Sequence, residues 1–226
     1  MNFYPKPIKL HDCETHGATS AAELFIVEGD SASTAIAAIR DRSFQAVLPM
    51  QGKPLNAHKA SLKAVQNYEL YRELLLALGF PELCTTSEIV RSSTVPEECR
   101  FSKIILLFDP DADGIHCGAL LQIFFLRMLR PLVESGMLTL IRAPLYRFRV
   151  TTDPPKNLFA YMDDQARKIA RDLDQEGFDY QRQRFRGLAG IDRDLLLQLC
   201  INPDSRSLEP VTIPHCEAAL AVFGGS

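Results

Sequence analysis

The chain has 226 residues, of which 46% are hydrophobic and 23% are charged, and its formal net charge is −3. This balance is typical of a globular protein with a sizeable core, and it lacks the basic excess of proteins that coat nucleic acid. No apolar run reaches the ~18 residues of a membrane helix, and the first residues lack the apolar core of a secretory signal. We therefore expect a cytoplasmic protein that has no membrane partner.

Predicted strands and helices alternate in the first part of the chain, after a lead-in that we place at residues 1–22. Short apolar runs predict strands, and segments with a period of 3.6 residues predict helices. The predicted elements are strands at residues 23–28 and 44–48, a helix at 32–42 with Ser31 as its N-cap, a loop at 49–56, a helix at 58–78 that ends at Gly79, and an irregular polar stretch at 80–102.

The most informative stretch, residues 103–116, reads K-I-I-L-L-F-D-P-D-A-D-G-I-H. Its apolar run at 104–108 predicts a buried strand, which ends in three aspartates at alternate positions: Asp109, Asp111 and Asp113. In open α/β sheets, ligands bind at the carboxyl ends of the strands. The aspartates are therefore predicted to lie where such a sheet binds its ligand.

The remaining elements change in character after residue 150. They are a helix at 115–134 broken near Pro131, strands at 137–141 and 145–150, an edge strand at 157–161, a charged helix at 163–176, an arginine-rich segment at 180–190, a helix at 192–200, a strand at 208–213 and a helix at 215–223. We therefore predict an α/β domain at 23–150, a parallel sheet flanked by helices, and a small α+β region at 151–226.

The six cysteines are scattered along the chain, without a C-x-x-C pair or the ligand spacing of a zinc site. Several of them fall in apolar segments, where cysteine behaves as a small core residue. The pattern predicts reduced thiols and argues against zinc.

The three neighbouring aspartates repel one another, so at least one of them should have a raised pKa unless a cation is present. Mg²⁺ removes the conflict because it accepts carboxylate oxygens and keeps positions for water and phosphate. An EF-hand is excluded, since the twelfth position from Asp109 is Leu120 and not Glu. Asp113 weakens the interpretation as a phosphatase of the haloacid dehalogenase type, because such an enzyme needs Thr or Val at this position. A solvated acidic turn is the remaining alternative.

Glu28 occupies the equivalent place at the end of the first predicted strand. Gly29 follows it and allows close approach of the backbone, and the start of a helix next to it favours anions. If the two strands are neighbours, four carboxylates converge at one edge. Such a set indicates phosphoryl or phosphodiester chemistry with one or two metal ions.

These residues also carry a family resemblance, which extends over most of the chain. E-G-D-S-A at 28–32 and D-P-D-A-D-G at 109–114 resemble the Toprim domain, and more closely that of the B subunits of bacterial type IIA topoisomerases. Further matching segments occur in the same order: K-L-x-D-C at 9–13, R-D-R-x-F-Q-A-V-L-P at 40–49, G-K-P-L-N at 52–56, A-P-L-Y at 143–146, R-F-R-G-L at 184–188 and N-P-D-S-R at 202–206. The resemblance implies a Rossmann-like Toprim fold.

The resemblance also implies a role for each matching position. Glu28 would be the general acid or base of DNA cleavage and would hold Mg²⁺ together with Asp109 and Asp111, while Asp113 would support a second ion. DNA contacts would come from Lys53, Asn56, Arg184 and Arg186, and Asp30 and residues 184–187 would pack beside the site. A partner A subunit would supply the tyrosine nucleophile. The alternatives are that Asp30 only caps a helix, that Lys53 is a solvated loop residue and that His116 is structural.

Several features depart from the family pattern. The chain starts at the border of the Toprim domain and has no G-x-x-x-x-G-K-[ST] loop, so no ATP site is expected. Phe108 stands where the family has a small or polar residue, L-A-G at 188–190 replaces G-L-G-E-M, and F-G-G-S ends the chain in place of V-E-P-R-R. Two alternative functions therefore remain: a non-catalytic module that binds DNA or a partner subunit, and a stand-alone metal-dependent phosphatase or nuclease.

Overall fold

The computed structural model describes residues 7, 9–84, 95 and 97–224. The start of the predicted lead-in, the middle of the polar stretch at 80–102 and the last two residues lie outside them. The strands are β1 (Glu23–Glu28), β2 (Gln45–Met50), β3 (Lys103–Leu107), β4 (Leu138–Leu140), β5 (Tyr146–Val150), β6 (Lys156–Ala160), β7 (Tyr180–Arg184) and β8 (Glu209–Pro210). The helices are α1 (Gly29–Ala37), α2 (Leu62–Asn67), α3 (Glu69–Leu78), α4 (Ala112–Met128), α5 (Arg130–Glu134), α6 (Asp163–Glu176), α7 (Arg193–Leu196) and α8 (Ile213–Phe223).

The larger sheet has the strand order β2-β1-β3-β4-β8. Its first four strands are parallel, and β8 pairs with β4 in the antiparallel direction. The predicted α/β fold with a parallel sheet is thereby confirmed. The sequence reads as near-continuous apolar runs because helices cover both faces of such a sheet.

Alternate residues of β1 enter two different cores. Leu24 and Ile26 join one core, which is closed by α2, α3, α4, α5 and α8. Phe25 and Val27 join the other, which is closed by α1 and by residues 188–201. The C-terminal region therefore completes the hydrophobic core of the parallel sheet.

The predicted fifth strand does not belong to the parallel sheet. β5 is the central strand of a second, antiparallel sheet with the order β6-β5-β7, and α6 packs on that sheet. The apolar pattern of 145–150 predicted a strand but could not identify its partners, because pairing depends on where distant strands arrive. The boundary at residue 150 stays a prediction, and β8 crosses it to join the first sheet.

Three helix boundaries differ from the prediction for local reasons. α1 begins at Gly29, so Ser31 lies inside the helix and is not its cap. The helix predicted at 58–78 divides at Tyr68, whose backbone is extended, and Ser61 caps α2 by accepting a hydrogen bond from the Ala64 amide. The helix predicted from 115 begins earlier because Asp111 caps α4, and it ends before Leu129, where α5 takes a new direction.

The cysteine prediction is confirmed: all six are free, and all but Cys84 are buried. Across the described residues, no helix is both long and apolar enough to cross a membrane.

Candidate metal centre

In the larger sheet, β2 is added on one side of β1 and β3 on the other side. The carboxyl ends of β1 and β3 therefore lie side by side. β1 lies between β2 and β3 and is parallel to both. Glu28 is the last residue of β1, and Asp109 follows β3 by two residues. This is the switch point at which open α/β sheets bind ligands. The predicted meeting of the two strand ends is confirmed by the pairing of β1 with β3.

The other two aspartates lie in the turn that starts α4. Asp111 is the N-cap and accepts a hydrogen bond from the Gly114 amide at 2.9 Å. Asp113 lies in the first turn and is exposed, and the Lys53 ammonium lies 3.3 Å from its Oδ1. Lys53 comes from the loop after β2, so three strand ends contribute charge to one edge.

Glu28 is the least satisfied acid of this edge. Its Oε2 is buried and accepts no hydrogen bond from the described residues. Burial raises the pKa of Glu28 above its usual value, and the charges of Asp109, Asp111 and Asp113 raise it further, whereas Lys53 opposes the shift. The folded chain therefore holds this carboxyl in an environment that favours its protonated form.

Asp109 shares this environment but has one strong partner. Burial raises its pKa, a hydrogen bond from the Leu188 amide lowers it, and the charge of Asp111 raises it. The amide nitrogen lies 2.8 Å from Asp109 Oδ1. One oxygen of this carboxylate is therefore fixed from the C-terminal region.

The carboxylate set fits a divalent cation. An oxygen that is buried without a donor, together with repulsion among four acids, is the situation that a hard cation relieves. In the described part of the chain, the three-residue group whose ligand atoms lie within 4.8 Å of one another is Asp12, Cys13 and His16, so the four carboxylates are spread more widely. Water or phosphate oxygens would complete the coordination of an ion here, as is usual for Mg²⁺.

The Asp12, Cys13 and His16 group is a weaker candidate for a metal. The Arg100 guanidinium lies 2.8 Å from Asp12 Oδ2 and 3.0 Å from a ring nitrogen of His16, so a positive charge already occupies this cluster. Burial raises the pKa of Cys13 to about 11, which keeps the thiol protonated. The cluster is an ion pair that joins the N-terminal segment to the chain before β3.

Of the remaining predicted site residues, one is hydrogen-bonded within the chain and two are exposed. The Asn56 amide is used internally: it donates to the Phe223 carbonyl at 2.9 Å and accepts from the His58 amide at 3.0 Å. Arg184 is exposed and lies over the Tyr146 ring, and Arg186 is exposed.

Two further residues of the sequence analysis have defined partners. Asp30 accepts hydrogen bonds from Lys9 at 3.0 Å and from Gln51 at 2.7 Å, so it holds neighbouring loops and is not a helix cap. The His116 ring stacks on Phe223 with centroids 4.3 Å apart, which supports the structural interpretation of this histidine.

The contact of Leu188 with Asp109 was not predicted from the sequence. The only signal was R-F-R-G-L itself, because its glycine, between Arg186 and Leu188, permits a close approach of the backbone. The partner could not be identified, because the two residues lie 79 positions apart.

Comparison with known proteins agrees with this geometry. Residues 23–142 match the family described as Toprim domain. The B subunit of DNA gyrase from Thermus thermophilus is 38% identical over 218 residues, which are 96% of this chain and 33% of the relative. The corresponding proteins of Haloferax volcanii and Thermotoga maritima are 36% and 34% identical, each over 96% of this chain and 32% of the relative. The chain thus spans about a third of the length of these relatives.

Proposed function

The chain belongs to the Toprim domain family, and on that premise we propose that it is the magnesium-binding cleavage module of a type IIA DNA topoisomerase. The observation that carries the proposal is the meeting of Glu28 with three aspartates at the switch point of the sheet, with one Glu28 oxygen buried and without a hydrogen-bond partner among the described residues. The similarity to the B subunits of gyrase, over nearly the whole chain, supports DNA as the substrate class. We accordingly expect the protein to act in the cytoplasm.

In the proposed reaction, Glu28, Asp109 and Asp111 would hold Mg²⁺, and Asp113 would support a second ion. A metal held there would supply positive charge to stabilise the attacking and leaving oxygens of a phosphodiester. The reaction is a transesterification in which a tyrosine oxygen, supplied by a partner A subunit, forms a bond to phosphorus and the 3′ oxygen leaves. The reverse step rejoins the strand, so no net hydrolysis occurs.

Glu28 is proposed to move the proton in both directions. It accepts the proton of the tyrosine hydroxyl during cleavage, or donates one to the 3′ oxygen, and reverses the role during rejoining. A general acid or base works best when its pKa is close to the operating pH. Burial and the neighbouring acids shift the pKa of Glu28 in that direction from its ordinary value.

DNA is proposed to reach the site over a rim of basic side chains. Lys53 lies beside Asp113 and half-exposed, within reach of a phosphate next to the acids. Arg184 and Arg186 are exposed on the segment that leads to Leu188. DNA contact by Asn56 stays a prediction. Its amide already joins the loop that contains Lys53 to the end of α8.

The test combines the purified chain with the A subunit of a gyrase, Mg²⁺ and supercoiled DNA, without ATP. We expect covalent protein–DNA complexes on denaturation, and we expect Glu28→Ala to abolish them. Glu176→Ala removes an exposed glutamate at the end of α6 and serves as the matched control, with no effect.

Two other outcomes would contradict the proposal. If several A subunits give no covalent complex while the chain still binds DNA or the A protein, it is a non-catalytic binding module. If the chain hydrolyses a phosphoester with Mg²⁺ alone, it is a metal-dependent phosphatase or nuclease.

A further inference from the structure

Asp109 is held between two glycines that are far apart in the chain. A Cβ atom on Gly114 would lie 2.1 Å from the Asp109 carbonyl oxygen, and a Cβ atom on Gly187 would lie 2.7 Å from its Oδ2. Both distances are shorter than a carbon can approach an oxygen without displacement. The first glycine permits the backbone turn of Asp109, and the second permits the position of its carboxylate.

The backbone around Gly187 is fixed before it meets Asp109. Gly187 has a φ of +143°, a conformation that other residues rarely adopt. It stands between Phe185 and Leu188, which are 2% and 0% exposed and lie in the same core as Phe25 of β1. The Phe185 amide also donates to the Leu145 carbonyl at 2.9 Å. The Leu188 amide is therefore aimed by packing and not by the acid that it binds.

We propose that Gly187 and the Leu188 amide form a clamp that positions the Asp109 carboxylate for the cation, so that the metal site is complete only when the C-terminal region is docked on the sheet. The proposal rests on the metal site of the proposed function. Gly187 and Leu188 are positioning residues, since they act through Asp109.

The physical reason for a clamp lies in the repulsion among the acids. Without a cation, the charge of Asp111 disfavours ionisation of Asp109, and the charge of Asp109 disfavours ionisation of Glu28, so that both carboxyl pKa values are raised. The 2.8 Å hydrogen bond from Leu188 to Oδ1 holds it in place and leaves the other oxygen on the side where Gly187 has no side chain. Partners that orient a metal ligand in this way typically contribute 10–100-fold to metal affinity.

The first test compares Gly187→Ala with Gly190→Ala in the full chain. Gly190 lies three residues further on, in open space and without a positive φ, so it is the matched control. Mn²⁺ affinity is measured by electron paramagnetic resonance, with Mg²⁺ as competitor. We expect Gly187→Ala to lose about tenfold or more in affinity and Gly190→Ala to stay within about twofold. Equal affinities of Gly187→Ala and wild type would overturn the clamp.

A second measurement needs no substitution of the glycine, and it decides the question if Gly187→Ala fails to fold. The amide resonance of Leu188 is followed by NMR while Mg²⁺ is added to the wild type. We expect it to shift with the binding curve and to stay unshifted in Asp109→Ala. A Leu188 amide that does not respond in the wild type contradicts the proposal.

Both measurements are made without DNA or an A subunit, so their outcome is separate from that of the cleavage assay. A wild type that binds Mn²⁺ through the clamp but forms no covalent complex rejects the proposed function and keeps the clamp. A chain that cleaves DNA although Gly187→Ala binds Mn²⁺ normally rejects the clamp and keeps the function. A wild type that binds neither ion overturns the clamp outright.

Discussion

The two ends of strand β1 carry a glutamate each, and the structure treats them in opposite ways. Glu23, at the start, is 3% exposed and accepts hydrogen bonds from Arg206, from Gln45 at 3.0 Å and from Lys103 at 3.4 Å. Glu28, at the end, keeps a buried oxygen without a donor among the described residues and faces three aspartates. The first edge of the sheet is neutralised by the protein itself, and at the second edge four acids face one lysine.

The two glutamates differ in how far the free-energy cost of their burial is offset. A buried carboxylate without a partner costs free energy, because desolvation is not repaid by hydrogen bonds. At the start of β1 the buried guanidinium of Arg206 offsets this free-energy cost, and the same contact links the C-terminal region to the sheet. At the end of β1 the cost remains in the metal-free chain, and a cation would offset it.

The largest effect is expected from breaking the satisfied edge. Arg206→Ala leaves Glu23, whose side chain is only 4% exposed, as a buried charge that has lost its buried guanidinium partner. Removal of one member of a buried pair typically costs about 3–5 kcal/mol. We expect a fall of that size in the free energy of unfolding, measured by urea denaturation, and a change below about 1 kcal/mol would show that Lys103 and Gln45 suffice.

The next effect sharpens the contrast from the other edge. Mg²⁺ should stabilise the wild type by mass action and raise its melting temperature. At about 100 times its dissociation constant, the gain in the free energy of unfolding is about 2.7 kcal/mol. Asp109→Ala/Asp111→Ala should abolish this increase, since both residues belong to the proposed site. Asp172→Ala/Glu176→Ala on α6 removes two exposed acids and should leave the increase intact. A normal increase in the first variant would place the cation elsewhere.

A smaller effect is expected from Glu28→Gln in the metal-free chain. The folded pKa of Glu28 is raised above 4.5, so its contribution to stability is present below that pH and is lost as pH rises through the folded pKa. Glutamine stays neutral throughout. The variant should therefore gain stability relative to the wild type as the pH rises above 4.5 towards neutrality.

This pH dependence is checked by thermal unfolding of both chains in a metal chelator at several pH values. The advantage of the variant should disappear when Mg²⁺ is added, because only the wild type has the carboxylate. A variant less stable than the wild type at neutral pH without metal would mean that Glu28 has a stabilising partner.

The smallest effect is expected from an exposed ion pair. Arg142 lies 3.0 Å from Glu209, with side chains 61% and 47% exposed. Exposed pairs of this kind contribute about 0.2–1 kcal/mol at most. Arg142→Ala should change the free energy of unfolding by less than about 0.5 kcal/mol, which makes it the control for Arg206→Ala in the same urea experiment.

The sequence by itself determined the fold class and the acidic edge. Apolar runs at 23–28 and 104–108 that end in Glu28 and Asp109 were enough, because parallel strands bring their carboxyl ends to one side of a sheet. Local signals of this kind depend only on neighbours in the chain. The same holds for the six free cysteines, whose scattered spacing predicted reduced thiols.

The tertiary structure alone decided which groups contact the acids at each end of β1 and which are bound elsewhere. Leu188 reaches Asp109 across 79 positions, and Arg206 reaches Glu23 across 183. Asn56, which the motif assigned to DNA, is tied to the carbonyl of Phe223, 167 positions away. For the same reason, β5 joins the antiparallel sheet and β8 joins the larger sheet. A side chain or a strand pairs with whatever the packing brings within reach, and the local sequence pattern does not specify these long-range partners.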